Sequence, residues 1–298
     1  MTRVTQSELI DRLLSGPGTV VLLGSIDTGK TSFGLSLAEE ARERGLKAAY
    51  VDSDVGQSTV GPPTCVGLKL CWNLEKVDEE SVALADEIGF VGSTAPEGHL
   101  LPLVASTARL VEHAKQAGAE VVIVDTSALI SGIYGELLKY YKLDLIRPRS
   151  IVGFQRGEEL EPILGVVSRF FPAEVTVLKV ESEIVERSAE ERLASREERF
   201  RAYFHPPLQR WRVKPTVFMP SLPPEVDLKR LEGLVVGLED GRGTCTGIGL
   251  LEYDEKENVL RMVSSVGEGA QGLRLGSIRI STEGRQLGRV TMRDMFGS

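Results

Sequence analysis

The chain has 298 residues, a formal net charge of −8 and a sequence pI near 5.2. Hydrophobic residues make up 42% and charged residues 26%, which excludes collagen-like, disordered and disulfide-scaffold classes. The acidic balance argues against a protein that coats nucleic acid, because such coating needs phosphate neutralisation over a broad surface, whereas a local basic site is still allowed.

The amino terminus and the cysteines indicate a cytoplasmic setting. No apolar run reaches about 18 residues, and Met1 is followed by polar residues rather than by a basic stretch and an apolar segment, so we expect no membrane association. Cys65, Cys71 and Cys245 form no CxxC pair and are expected to be reduced structural residues.

Apolar spacing predicts a helix over 5–14, which ends at Gly16-Pro17-Gly18 before a buried strand over 19–23. Further strands are expected at 48–51, 88–91, 121–124, 151–154 and 175–180. Helical patterns separate them at 32–44, 103–116, 134–145 and 160–170. This alternation predicts an α/β fold with a doubly wound, mainly parallel sheet.

The composition changes in the last third of the chain. Residues 182–204 predict a long helix in which Glu and Arg interleave. We expect it to be the last element of a domain formed by residues 1–205 and to lie over the edge or mouth of the sheet. A proline-rich linker is expected over 206–225. Apolar runs broken by glycine then predict a small β-rich domain, a barrel or a sandwich, over 226–298.

A complete GxxxxGK[ST] motif follows the first strand and opens a helix, which is the context that confirms a P-loop. In such a loop backbone N–H groups bind a triphosphate, the lysine reaches the β- and γ-phosphates and the threonine hydroxyl binds Mg²⁺. The sequence therefore predicts a P-loop NTPase fold that binds ATP and Mg²⁺ with these nucleotide-binding residues: Gly24, Ser25, Ile26, Asp27, Thr28, Gly29, Lys30, Thr31 and Ser32.

Two carboxylates, Asp52 and Asp54, follow the next strand at i, i+2 spacing and should both face the phosphate site. In phosphoryl transfer one such carboxylate can hold the water shell of Mg²⁺ while the other accepts the proton of the attacking hydroxyl. The chain has no Asn-Lys-x-Asp segment, which a GTPase would need, and no Lys-Gly-Gly-x-Gly-Lys loop of partitioning ATPases. A kinase with its own acceptor is favoured.

Four segments together resemble the P-loop polynucleotide 5′-hydroxyl kinase family, and the resemblance covers roughly residues 18–210. They are the P-loop, Asp52-Ser53-Asp54-Val55-Gly56-Gln57, Gly92-Ser93-Thr94-Ala95-Pro96, and Arg192-Leu193-Ala194-Ser195-Arg196 running into Arg199-Phe200-Arg201-Ala202-Tyr203-Phe204. The family includes the kinase subunit of the eukaryotic pre-mRNA cleavage machinery, pre-ribosomal RNA-processing kinases and archaeal RNA kinases.

The resemblance implies a role for each matching residue. Lys30 and Thr31 would hold ATP and Mg²⁺, Asp54 would be the general base, and Asp52 would support the metal through water. Gln57 would lie near the acceptor. The family's RxxxR lid matches Arg192 and Arg196, with Arg199 as a further acceptor contact; a surface helix carrying i, i+4 ion pairs is the alternative for each arginine.

The acceptor clasp departs from the family pattern. Its Thr-x-Gly-aromatic motif falls at Thr126-Ser127-Ala128-Leu129, which keeps the threonine as a substrate contact but lacks the glycine and the stacking aromatic. Stacking would then come from Tyr134, Tyr140 or Tyr141. The nucleotide-contacting amino-terminal domain of the eukaryotic members is not expected in a chain that begins 23 residues before Gly24, so we expect loose nucleobase selectivity.

Two basic clusters are candidates for contact with a single strand, where cations pair with phosphates and bases stack on rings. One mixes aromatic and basic residues between 199 and 214, with packing of its rings on the kinase domain as the alternative. The other comprises Lys139, Lys142, Arg147 and Arg149. The expected partner is a single-stranded or end-exposed nucleic acid with a 5′-hydroxyl.

The leading hypothesis is an ATP-dependent kinase of 5′-hydroxyl RNA or DNA ends, active in RNA processing or nucleic acid repair. A small-molecule or nucleoside kinase is a second possibility, favoured by the acidic pI and the altered clasp. A third is a nucleotide-bound scaffold of an RNA-processing assembly, although such a scaffold has no need of a general base.

Overall fold

The computed structural model describes residues 5–180 and 186–297. Its amino-terminal half alternates helices and strands around one sheet. The elements are α1 (Gln6–Leu14), β1 (Gly18–Gly24), α2 (Lys30–Glu43), β2 (Ala48–Ser53), β3 (Cys65–Leu70), β4 (Glu87–Phe90), α3 (Leu100–Gln116), β5 (Val121–Thr126), α4 (Gly132–Ile146), β6 (Ser150–Gln155), α5 (Glu161–Phe170) and β7 (Glu174–Lys179).

Five of these strands are parallel and stand in the order β2-β5-β1-β6-β7. The predicted α/β class with a mainly parallel, doubly wound sheet is thereby confirmed. Helices cover both faces, so strands β1, β2 and β5 are almost entirely buried, as their continuous apolar runs predict. Because parallel strands end at the same edge, the loops after β1, β2 and β5 meet there.

Two antiparallel strands extend the sheet beyond β2. β3 was not predicted, and β4, expected from residues 88–91, runs antiparallel to it. The segment between β2 and β3 therefore has to turn back, and it does so over residues 54–64. Part of this turn lines one cavity together with the P-loop.

The carboxyl-terminal part contains one long helix followed by antiparallel strands. The elements are α6 (Ala189–Tyr203), β8 (Gln209–Val213), β9 (Phe218–Met219), β10 (Leu234–Glu239), β11 (Cys245–Asp254), β12 (Val259–Ser264), β13 (Gly272–Ile280), β14 (Gln286–Arg289) and α7 (Met292–Phe296). The helix expected over 182–204 begins at Ala189, where Ser188 caps it, and residues 181–185 lie outside the described ranges.

The segment 206–225, expected to be a linker, contains two strands. β8 pairs with β12 and β9 pairs with β13, so much of this segment belongs to the β-rich part. The two strand groups are joined by one register pair, Cys245 with Ile88. Beside it, Gly92 packs against Gly276 so closely that a Cβ on Gly92 would lie 2.8 Å from the Gly276 Cα, and Ser277 N donates to Gly92 O at 2.7 Å.

The apolar core continues through this junction. Phe90 of β4 shares a buried apolar cluster with Phe200 of α6, with Phe204, which caps that helix, and with residues of β11 and β13. All three cysteines are free and buried. In the described part of the chain, no helix has the length and apolar character needed to cross a membrane.

Candidate active site

The nucleotide loop runs from the end of β1 to the first turn of α2. Gly29 has φ +83°, a left-handed conformation that glycine adopts without strain, and it caps α2 so that the amide groups of the first turn point into the loop. The P-loop therefore has the strand–loop–helix context that its sequence predicts.

Lys30 folds back over its own loop. Its Nζ donates to Ser25 O at 2.6 Å and to Thr28 Oγ1 at 3.3 Å. Burial lowers the Lys30 pKa, while the negative charges of Asp125 and Asp54 oppose that effect. The ammonium thus lies within a cluster of carboxylates.

Asp125, at the end of β5, is the carboxylate that contacts Thr31, a relationship that the sequence analysis missed. Its Oδ2 accepts hydrogen bonds from Thr31 Oγ1 at 2.6 Å and from Tyr50 Oη at 3.0 Å. Its Oδ1 is buried and has no hydrogen-bond partner among the described residues. Asp125 could have been identified from the sequence, because it is a carboxylate near the end of a predicted buried strand in a P-loop protein.

Asp52 has a different environment from the one expected of a metal-supporting residue. Its Oδ1 accepts from Asp54 N at 2.9 Å, and its Oδ2 accepts from Thr59 N and from Val60 N, the latter at 3.0 Å. Burial, reinforced by the charges of Asp125 and Asp54, raises the Asp52 pKa to about 7. The carboxylate thus organises the 54–60 turn through backbone amides.

Asp54 lies at the start of that turn and faces the cavity. Its Oδ1 accepts from Gly56 N at 2.9 Å and from Gln57 N at 3.1 Å. Its Oδ2 forms no hydrogen bond within residues 5–180 and 186–297. Gln57 Nε2 donates to Gly56 O at 2.8 Å and to Arg192 O at 3.3 Å, which links the turn to α6.

Three arginines of α6, Arg192, Arg196 and Arg199, contact the same turn and loop. Arg196 donates to Gly56 O at 3.3 Å and to Gln286 Oε1 at 3.2 Å, and Arg199 donates to Thr59 O at 3.1 Å. Burial, together with the nearby Arg289, lowers the Arg196 pKa. These side chains thus face the site, in contrast to the alternative of a solvated helical surface.

Asp27 connects the P-loop to the start of α6. Its carboxylate accepts from Arg187 N at 2.9 Å and lies 3.4 Å from an Arg192 guanidinium nitrogen. Arg156, which the sequence analysis did not single out, donates to Ile26 O at 3.1 Å and to Asp27 O at 2.7 Å. Arginines therefore hold both the main chain and the side chain of this loop.

The structure corrects the prediction that Lys139 and Lys142 belong to a basic surface for a single strand. Lys139 and Lys142 are buried rather than exposed as a basic surface, because α4 turns them toward the ends of β5 and β2. Thr126 is also buried; its Oγ1 donates to Leu22 O at 2.7 Å and accepts from Lys139 Nζ at 2.9 Å.

The aromatic residues divide into buried and exposed groups. Phe200 and Phe204 belong to the core, which confirms the packing alternative for these two rings. Tyr134 and Tyr141 are more than half exposed, and Tyr140 makes edge contacts with Phe170.

One cavity of about 410 Å³ gathers most of these groups. It is lined by the P-loop, the 54–59 turn, the end of β5 and α6, including the following side chains: Lys30, Thr31, Asp54, Gln57, Asp125, Thr126, Arg196 and Arg199. Arg192 lies beside it, held by Asp27, and Asp52 lies beneath the turn. Such a site can hold a triphosphate and has a carboxylate available to accept a proton.

The residues present also fit a Mg²⁺ ion bound with the phosphates. Hard cations prefer oxygen ligands, and Mg²⁺ is usually held by one or two protein groups plus phosphates and water. The Thr31 hydroxyl and the unpartnered Asp125 Oδ1 supply that chemistry.

Comparison with known proteins adds family information to this geometry. Residues 24–206 match the family described as mRNA cleavage and polyadenylation factor CLP1 P-loop. A polyribonucleotide 5′-hydroxyl-kinase of Pyrococcus furiosus is 28% identical, covering 92% of this chain and 91% of that protein. One from Methanocaldococcus jannaschii is also 28% identical, covering 91% and 90% respectively.

A CLP1 homologue of Drosophila mojavensis is 25% identical over 82% of this chain and 57% of its own length. Among solved structures, Clp1p in complex with Pcf11p superposes with a TM-score of 0.71 at 13% identity, covering 92% of this chain and 78% of that one. The structural likeness supports the same fold in both the amino- and carboxyl-terminal parts.

Proposed function

Because the chain belongs to the CLP1 P-loop family, we propose that it is an ATP-dependent polynucleotide 5′-hydroxyl kinase, which transfers the γ-phosphoryl of ATP to the 5′-hydroxyl end of RNA or DNA. The observation that carries this proposal is the shared cavity in which Asp54 faces the P-loop opposite the α6 arginines. The names of the archaeal relatives, which align over about nine-tenths of this chain, support the same reaction.

Each group has a distinct part in the proposed transfer. The P-loop amides and Lys30 bind the β- and γ-phosphates. The acceptor oxygen forms a bond to the γ-phosphorus, the bond from that phosphorus to the β–γ bridging oxygen breaks, and ADP leaves. Asp54 takes the proton of the acceptor hydroxyl through its Oδ2.

The arginines are suited to the charge of the transition state. A guanidinium donates in a planar fork that matches phosphoryl oxygens. Arg192 contacts Asp27 of the P-loop, and Arg196 contacts Gly56 of the 54–60 turn. Gln57, Thr126 and Arg199 line the neighbouring space and are the proposed acceptor contacts.

Thr31 and Asp125 are the proposed Mg²⁺ site, with Asp52 acting on the turn rather than on the metal. Bound Mg²⁺ would neutralise charge on the β- and γ-phosphates. This assignment replaces the metal role that the sequence suggested for Asp52, because both Asp52 oxygens already accept backbone hydrogen bonds.

The experiment is transfer from γ-labelled ATP to a 5′-hydroxyl oligoribonucleotide, with a mononucleoside and a 5′-phosphorylated oligonucleotide as comparison acceptors. Label on the 5′-hydroxyl strand alone supports the proposal. Lys30→Ala should abolish the label with the fold intact, because it removes a charge that stabilises the transition state. Label on the mononucleoside alone would indicate a small-molecule kinase, and ATP binding without transfer would indicate a scaffold.

A further inference from the structure

Two lysines of α4 are among the most deeply buried large side chains of the protein. Lys139 and Lys142 are each 1% exposed. Burying an ammonium group is unfavourable unless it is partnered, and within the described residues neither lysine forms an ion pair with a carboxylate. A buried cation without such a partner requires an explanation.

The atoms that the two ammonium groups contact lie at the ends of two neighbouring strands. Lys142 Nζ donates to Ser53 Oγ and, at 3.4 Å, to Ser53 O; Ser53 is the residue between Asp52 and Asp54. Lys139 Nζ donates to Thr126 Oγ1 at 2.9 Å and to Ser127 O at 2.6 Å, and these residues directly follow Asp125. Each lysine thus holds the strand end that carries a carboxylate of the site.

Hydroxyl groups at these strand ends do not depend on the lysines for hydrogen bonding. Ser53 Oγ also accepts from Thr107 Oγ1 at 3.1 Å, and Thr126 Oγ1 also donates to Leu22 O at 2.7 Å. Local hydrogen-bond satisfaction alone therefore does not account for two buried lysines.

The charge of Lys142 suits its surroundings. Burial lowers the Lys142 pKa to about 8, whereas Asp54, Asp52 and Asp125 favour the charged form. Burial and the nearby Lys142 and Lys30 lower the pKa of Lys139. A cation beneath three carboxylates offsets their mutual repulsion at the place where a triphosphate must bind.

We propose that Lys142 and Lys139 are positioning residues for phosphoryl transfer, which fix the carboxyl ends of β2 and β5 so that Asp54 and Asp125 remain aimed at the triphosphate. This inference rests on the proposed kinase function. It gives α4 a part in catalysis although the two side chains do not line the cavity.

The test compares Lys142→Met and Lys139→Met with Lys115→Met, an exposed lysine on α3. Each buried variant should lower kcat by about 10- to 100-fold, because small displacements of reacting groups have effects of that size, while KM for ATP changes by less than about threefold. The midpoint of thermal unfolding should change by at most a few degrees, because the loss of the ammonium removes both its desolvation cost and its attraction to the carboxylates. Lys115→Met should leave all three quantities unchanged.

A double-mutant cycle tests whether Lys142 acts through the strand end. Ser53→Ala alone should lower kcat with KM for ATP unchanged, and its effect should not add to that of Lys142→Met. An unchanged kcat in Ser53→Ala overturns the Lys142 assignment even if the methionine variants fail to fold. A kcat within about twofold of wild type in the folded methionine variants, or a loss of thermal stability parallel to the loss of kcat, overturns the proposal as a whole.

Failure of the proposed function gives a different result. Wild-type protein would then fail to label a 5′-hydroxyl oligonucleotide. In that case the role of the lysines is tested by ATP hydrolysis, in which water replaces the 5′-hydroxyl as the acceptor. The hydrolysis rate of each methionine variant should be about 10-fold or more below that of wild type. Equal hydrolysis rates in wild type and both methionine variants would reject the positioning role independently of the acceptor.

Discussion

The Asp27 carboxylate lies 3.4 Å from a guanidinium nitrogen of Arg192, so an ion pair joins the P-loop to helix α6, the proposed lid. Asp27 side-chain atoms are only 9% exposed, which reduces solvent screening of the pair. The position of Arg192 is therefore set by the same loop that binds the phosphates.

Asp27→Asn keeps the size of the side chain and removes its charge. We expect kcat to fall by about fivefold, corresponding to about 1 kcal/mol for one ion pair, because Arg192 loses the group that orients it. Steady-state kinetics of Asp27→Asn, Arg192→Ala and the double variant check this. Additive effects of the two substitutions would show that Asp27 does not act through Arg192.

Replacing Arg192 or Arg196 by alanine should lower kcat more than it raises KM for the oligonucleotide, because the lid contacts are strongest in the transition state. Lysine should restore little activity, since it keeps the charge but loses the planar fork. Arg201→Ala, an exposed position on the same helix, is the control. A change confined to KM would mean that the two arginines bind the strand rather than the transferring phosphoryl group.

Asp54→Asn should lower kcat by about 10²-fold or more while ATP binding is retained, since general-base catalysis contributes about 10²–10⁴-fold. The Oδ1 contacts with Gly56 N and Gln57 N can be made by the amide oxygen, so the turn should persist. Nucleotide binding by calorimetry and single-turnover transfer separate the two effects. Near-normal single-turnover rates would remove Asp54 from the role of base.

Asp125→Asn and Asp52→Asn should differ in their dependence on Mg²⁺. Asp125 contacts Thr31, so its substitution should raise the Mg²⁺ concentration needed for half-maximal activity by about 10-fold or more, as is typical when a group that supports a metal is altered. Asp52→Asn should leave that concentration nearly unchanged. The opposite result would return the metal role to Asp52.

The raised pKa of Asp52 leads us to predict how the folding stability depends on pH. Burial raises this pKa from 3.8 to about 7, so the folded state retains a proton that the unfolded state loses. The contribution to folding stability is full below about pH 3.8 and declines as the pH rises to about 7, because the folded protein must then bury a charge. Urea unfolding from pH 4 to pH 8 should show a larger decline in wild type than in Asp52→Asn, in which the raised pKa of Asp125 still contributes. An identical pH dependence in both proteins would contradict the prediction.

The parallel strands and the P-loop could be predicted because both depend on local sequence. β1 and β5 are continuous apolar runs. The spacing of glycines in residues 24–31 predicts the P-loop without reference to any other part of the chain. β3 was missed because Cys65–Leu70 contains Gly67 and Lys69 and shows neither alternation nor a β-branched run. Its place in the sheet depends on pairing with β2 and β4.

Contacts between distant segments account for the errors at the site. Asp125 is separated from Thr31 by 94 residues, and only the sheet order brings them together. α4 departs from the usual helical pattern, because it buries its two lysines together with Leu138 and Leu143. It also exposes an apolar stripe at Ile133, Leu137, Tyr141 and Leu145. The prediction that Lys139 and Lys142 lie on the surface was wrong because it relied only on their charge.

The close approach of Gly92 and Gly276 affects how α6 is positioned over the cavity. Because neither residue has a side chain, the two main chains are in direct contact and set the spacing between the two strand groups. The β-rich part also supplies Gln286 to Arg196. The carboxyl-terminal strands thus help to set the position of an arginine that lines the cavity. A methyl group added at Gly92 or Gly276 would push the two strand groups apart and would shift Gln286, and with it the guanidinium of Arg196.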